Sequence, residues 1–138
     1  MTTRQVLALA CAVAAAYAIV ACGSGSSGTG SNPSPATPPA DAVSSSTITI
    51  SNNVASPKNI KVARGSQVTF VNNDTVSHEM FSDPHPDHTD CPEINQVGFL
   101  APGKSLQTGN MISNRSVCGF HDHNLPNVAG LQGSITIQ

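Results

Sequence analysis

The sequence predicts an all-β domain over residues 47–138, a β-sandwich with Greek-key connections. Short β-branched or apolar runs alternate with period two. Turn residues separate these runs, and no window sustains a helical period. Strands of this kind with no helical partner bury their apolar faces against one another, sheet on sheet.

The elements follow in order. Thr47-Ile48-Thr49-Ile50 alternates strictly, and Asn59-Ile60-Lys61-Val62 does the same before the turn signal Arg64-Gly65. Residues 67–71 are β-branched and aromatic and stop at the turn cluster Asn72-Asn73-Asp74. Residues 78–81 read as a short strand. From Ser82 to Pro92, proline and aspartate are too dense for regular structure. A loop of that length in a small domain is a candidate for function. Residues 97–100 lead into the turn Ala101-Pro102-Gly103; residues 104–108 and 115–120 are further strands, and Ser134-Ile135-Thr136-Ile137 closes the chain.

Ahead of this domain the sequence has a different character. Arg4 supplies a positive start, and Val6 to Val20 is an almost unbroken apolar run. At about 15 residues the run is short against the roughly 20 of a membrane span. It ends in Ile19-Val20-Ala21-Cys22, which resembles a bacterial lipobox. Residues 1–21 therefore read as a lipoprotein signal peptide that carries Cys11 away with it. Cys22 reads as the lipidated residue, and 22–46 as a Gly/Ser-rich, then Pro-rich linker too polar to fold. The expectation is an exported protein, lipid-anchored to a bacterial membrane on the periplasmic or cell-surface side, with the membrane as partner through Cys22.

Composition narrows the function. A domain of roughly 90 residues lies near the lower limit for a stable single core. It has no Trp or Tyr; its aromatics are Phe70, Phe81, Phe99 and Phe120. Such a domain gains from a disulfide or a metal. The net charge of −2, without a basic patch, argues against nucleic acid as a partner. Ser77-His78-Glu79 are neighbours on a strand and face alternate sides, so they form no catalytic triad, and no enzyme is expected.

All five histidines, His78, His85, His88, His121 and His123, fall within one span, as do Cys91 and Cys118. Imidazole and thiolate are ligands that suit copper and zinc. His121 and His123 are two apart, so on an extended segment they share a face, as do His78 and Met80.

Several segments together resemble the cupredoxin family. These are 68–74 followed by Ser77-His78, Leu100-Ala101-Pro102-Gly103-Lys104-Ser105, Cys118-Gly119-Phe120-His121, and Gly133-Ser134-Ile135-Thr136-Ile137. The resemblance implies a cupredoxin-like fold, with His78 as the first copper ligand and Cys118-x-x-His121 as the ligand loop. It also implies copper binding or delivery, or electron transfer, with a redox or copper-transfer protein as partner. Two departures stand out. Leu131 holds the place of the family's axial Met, and residues 122–130 form a longer loop; Met80 is a replacement that nothing requires.

Cys118 then has two readings. It is the thiolate of a type 1 site with His78 and His121, His123 fitting a longer Cys-x4-His spacing. Or it pairs with Cys91, since a disulfide is the default for an exported pair; closing that loop is worth roughly 3 kcal/mol. The stretch from Ser82 to Pro92, paired with Phe120-His121-Asp122-His123, also resembles a cupredoxin-like subgroup in which the thiolate is not required. In this second reading copper is held by His78, His121 and His123, with His85 or His88 as candidate additional ligands. Zinc suits the same donors. Asp83, Asp87 and Asp122 are candidates to orient imidazole N–H groups. Phe120-His121-Asp122-His123 is also similar to a run in copper–zinc superoxide dismutases, but that site needs a further His, and none follows His123. The remaining alternative is a structural or interaction β-sandwich with a disulfide and no functional metal.

Overall fold

In a computed structural model of the chain, residues 36–138 are described. The expected signal peptide, the lipidation site Cys22 and the first part of the linker lie outside them. Among the described residues no helix is long and apolar enough to cross a membrane.

Among the described residues ten strands form two sheets, as the alternation predicts. The larger sheet has six strands in the order β1 (Val43–Ser44), β4 (Asn59–Val62), β10 (Gly133–Ile137), β9 (Val117–Asp122), β6 (His78–Ser82) and β7 (Gly98–Leu100). The smaller has four, in the order β3 (Val54–Ser56), β2 (Thr47–Ser51), β5 (Thr69–Asn72) and β8 (Ser105–Gln107). β10 runs parallel to β4 and antiparallel to β9, while β2 runs parallel to β5. Parallel neighbours need connections that cross from sheet to sheet, which is what closes the sandwich. β1 lies inside the stretch expected to be linker; it pairs with β4, and Ala42 beside it is buried.

The alternation of each strand sets the core. Ile48 and Ile50 of β2, Ile60 of β4, Phe70 of β5, Phe120 of β9 and Ile135 of β10 are all buried between the sheets. Phe70 and Phe120 meet edge to face across the two layers, ring centroids 5.2 Å apart, the arrangement their quadrupoles favour. Cys118 and Cys91 are buried in the same core and joined as a disulfide, with a Cα–Cα distance of 5.8 Å. The thiolate reading of Cys118 is thereby corrected: its sulfur is bonded and faces inward.

Neither β1 nor β3 was expected. Two or three residues are too few to display a period, and the turn before β3 lacks the glycine that announces a hairpin. Asn52 and Asn53 make that turn instead, with φ of 54° and 57°. Both lie in the left-handed region that a two-residue hairpin requires and that Asn tolerates.

The turn is fastened from a distance. Asn52 and Asn53 both donate their backbone N–H to the carboxylate of Asp74, the latter at 3.0 Å. The same carboxylate lies 3.0 Å from Nε2 of buried His78, whose Nδ1 lies 2.7 Å from Asp122 Oδ2 on β9. A polar chain thus runs from the hairpin of one sheet to a strand of the other. Burial pushes the Asp74 carboxyl up, but hydrogen bonds from Asn53, His78 and Asn52 outweigh it and hold the group below its usual range. Its folded-state pKa is lower than its unfolded one. The stabilisation is therefore complete above about pH 3.9 and is lost as pH falls through the lowered value. Asp74→Ala should cost about 1 kcal/mol at pH 7, since it strips buried His78 of one partner and hands the exposed N–H groups of Asn52 and Asn53 to water. In urea melts the gap from the parent protein should narrow as the pH is taken well below 4 (about one unit or more); a gap independent of pH would contradict this role.

Candidate metal centre

The site grows from strand β9. Because Phe120 points into the core, its neighbours Gly119 and His121 face the other way, onto the outer surface of the six-stranded sheet. In the register with β6, Phe81 pairs with His121 and Met80 with Asp122. Phe81 therefore shares the outer face and forms part of the floor of the site. Its ring packs against His88 and His123 at centroid distances of 4.7 and 5.5 Å.

The segment after β6 folds back over this floor. Asp83 N–H donates to the Gly119 carbonyl at 3.1 Å, His88 N–H to that of Pro84 at 2.7 Å and Asp90 N–H to that of Asp83 at 2.9 Å. The Asn95 amide clamps both limbs, accepting from Ser82 N–H at 2.9 Å and donating to the His88 carbonyl at 2.8 Å. The Cys91–Cys118 bond anchors the far end to β9. His88 is held at a φ of 52°, a conformation that persists in a non-glycine residue only when its surroundings impose it.

The outcome is a convergence of four imidazoles. One ligand atom from each of His85, His88, His121 and His123 lies within 4.8 Å of the others. The tautomers of two follow from their partners. His88 Nδ1 lies 2.8 Å from the Ser82 carbonyl oxygen, which only accepts, so Nδ1 carries the proton and Nε2 the lone pair. His121 Nδ1 likewise donates to Asp83 Oδ1 at 2.7 Å, leaving Nε2 as the acceptor. That Nε2 is buried and has no hydrogen-bond partner. An orphaned buried acceptor costs on the order of 1–3 kcal/mol, and a cation would satisfy it. His88 Nε2 stands 2.9 Å from His123 Nδ1. His85 is the exposed member. Loss of water contact, then the neighbouring His123, His121 and His88, push its pKa below the usual histidine value. It is therefore held in the neutral, ligating form near pH 7. Imidazoles whose outward nitrogens are fixed by a carbonyl or carboxylate are the donor set that divalent copper or zinc takes.

The structure departs from the expected ligand set at His78. This side chain faces inward with Met80 and Asp122, on the opposite side of the sheet from His121. Its two nitrogens are both committed to carboxylates. His121 and His123 are brought together as expected, and His85 and His88 complete the cluster that His78 does not join. Met80 and Leu131 are buried in the core. Of the three aspartates, Asp83 orients a cluster imidazole. Asp122 serves His78 and caps the Asn124 N–H instead, and Asp87 is exposed. Sequence reasoning missed Phe81, Asn95 and Gly119. Only Gly119 left a signal, a glycine inside a strand.

The purple cupredoxin from Nitrosopumilus maritimus superposes with a TM-score of 0.51 at 19% identity, covering 68% of this chain and 100% of that one. The fold is cupredoxin-like. A mutant fern plastocyanin gives a TM-score of 0.51 at 18% identity, over 67% of this chain and 99% of its own. A reduced amicyanin mutant gives 0.51 at 12% identity, over 77% and 95%. At such identities the likeness is one of fold. The sequence matches no family model and no curated protein.

Gly119 carries a specific consequence. A Cβ built there would lie 2.0 Å from Asp83 Oδ2 and 2.8 Å from its Cγ. The missing side chain is what lets the carboxylate lie across β9 and reach His121. Gly119→Ala should displace Asp83 and weaken metal binding about 10- to 100-fold, as loss of an orienting partner does. Asp83→Ala should weaken it comparably. Metal affinity unaltered in Gly119→Ala, measured by competition with a chelator, would contradict the assignment.

Proposed function

We propose that the protein is an exported copper-binding protein that holds one copper ion through His85, His88, His121 and His123. Its task is to bind or deliver copper at a bacterial membrane surface. The observation that carries this reading is the convergence of four imidazoles around a buried, unpartnered His121 Nε2. The cupredoxin-like fold supports copper. So does the donor set, since a nitrogen site of given geometry binds Cu(II) more tightly than Zn(II). Bound copper would supply a redox-active Lewis acid. The chain's own part is to present neutral imidazoles, to fix two of them through Ser82 and Asp83, and to shelter one flank with Phe81. With Cys118 held in a disulfide, no thiolate joins the set. This favours binding and delivery over the role of a blue-copper electron carrier.

Titration with Cu(II) should show one tight equivalent, not displaced by equimolar Zn(II) and lacking the intense visible charge-transfer band of a copper–thiolate centre. His121→Ala combined with His123→Ala should abolish tight uptake. Unchanged affinity in the double variant would sink the site.

Export and anchoring rest on the features of residues 1–46, and the partner surface is the membrane that Cys22 would enter. Cys22→Ala expressed in a bacterium should lose incorporation of labelled fatty acid and leave the membrane fraction. Continued labelling of that variant would place the lipid elsewhere or dismiss it.

A further inference from the structure

A cleft of about 380 Å³ opens against the histidine cluster. Two ligands, His85 and His121, belong to both; its other polar lining comes from Lys58, Asn59, Gln132 and Ser134, with Asp83 beside His121. The volume lies at the low end of the range for small-molecule sites, about 300–1,000 Å³. It suits a molecule of amino-acid size and is too small to seat a protein surface.

The four imidazoles are not equally held. His121 is fixed by Asp83, His88 by Ser82, and His123 by its contacts with His88 and Phe81. His85 is exposed. It sits between Pro84 and Pro86; its ring packs on those of His123, His121 and His88 at centroid distances of 4.9, 5.4 and 5.6 Å but makes no hydrogen bond among the described residues. Of the two ligands that line the cleft, His85 is thus the one with no hydrogen bond. An incoming donor seated there would meet His85 and His121, and replacing His85 breaks no hydrogen bond that fixes the other three.

The lining also indicates the class of molecule. Lys58, exposed, is its one fixed cation; its ammonium spends one N–H on the Ala129 carbonyl at 3.1 Å and keeps the others free to donate. The cleft's one carboxylate, Asp83, is already engaged by His121 Nδ1. A carboxylate is therefore welcome opposite Lys58, while a second donor must ligate the metal. We propose that this cleft seats a small amino-carboxylate chelator, which exchanges copper with the protein by taking the place of His85 in a ternary complex. The inference rests on the copper reading above. In the exchange, the bond from copper to the His85 nitrogen breaks and one to the amine nitrogen forms. The ammonium form of the chelator gives its proton to solvent, and no electron is transferred.

Glycine is a suitable probe. The Cu(II)-loaded full chain, kept in detergent, is titrated with ¹⁴N- and ¹⁵N-glycine and followed by electron paramagnetic resonance. The expected result is a saturable spectral change, with copper still on the protein and a nitrogen coupling that changes with the glycine isotope. Lys58→Met should weaken glycine about two- to fivefold, as loss of an ion pair at an exposed lysine does, without altering copper affinity. His85→Ala should bind glycine more tightly, because no imidazole has to leave. Glycine that strips copper with no ternary signal, or that binds equally well to Lys58→Met, would overturn the proposal. A chain that takes up no Cu(II) before glycine is added would fail the copper reading itself, and this proposal with it.

Discussion

Strand β9 has two faces, and the site depends on which residue lies on which. Cys118, Phe120 and Asp122 point between the sheets, where they supply the disulfide, the core aromatic and the partner of His78. Gly119 and His121 point outward, and His123 follows on that side. Period-two alternation allows no compromise, since a slip of one residue would exchange the two sets. The burial of Phe120 against Phe70 is the contact that would be lost in such a slip. Core packing thereby fixes the direction of the ligands, although no ligand belongs to the core.

An outward-facing cluster would ordinarily be wet and loose. Here it is covered by a segment with no regular structure of its own. Ordering such a segment costs roughly 1–2 kcal/mol per residue in backbone entropy, so its fastenings matter. It is tied at its start by the pairing of Ser82 with Phe120, in the middle by the Asn95 amide and at its end by the Cys91–Cys118 bond. The first and last ties reach β9 itself. The loop that brings His85 and His88 is therefore referenced to the strand that brings His121 and His123. The four imidazoles can hold a common geometry without a rigid helix beneath them.

Much of this was legible in the sequence, because strand alternation and ligand chemistry are both local properties. The strands at Thr47–Ser51, Asn59–Val62 and Gly133–Ile137 announce themselves by period, and the irregular segment by its prolines. The pairing of His121 with His123 followed from their spacing alone. His78 was misplaced for a definite reason. Alternation says that His78 and Met80 share a face, but not which face, and the register between β6 and β9 is a long-range fact. Once Met80 is set opposite Asp122, His78 is carried inward, where Asp74 and Asp122 receive it. The same limit hid Gly119, whose role exists only because Asp83 crosses the strand at that point. The disulfide was readable as one of two outcomes. The choice depended on whether Cys91 and Cys118 meet, again a long-range fact, set by where the segment after β6 folds back onto β9.

The position of the cluster bears on what the proposed copper site would do. A thiolate site inside a sandwich gains a dry, enclosed environment and a soft ligand that favours Cu(I). This cluster has neither. It lies on the outer face of a sheet, offers imidazoles only, and grades from buried His121 to exposed His85. Imidazole donors suit Cu(II), and a ligand open to solvent gives an incoming donor a place to attack. Buried ligands supply affinity and an exposed one supplies exchange, and a protein that takes up and hands on a metal needs both. The inward polar chain of Asp74, His78 and Asp122 keeps a structural task separate from the cluster, since it binds the two sheets through side chains that the metal would not touch.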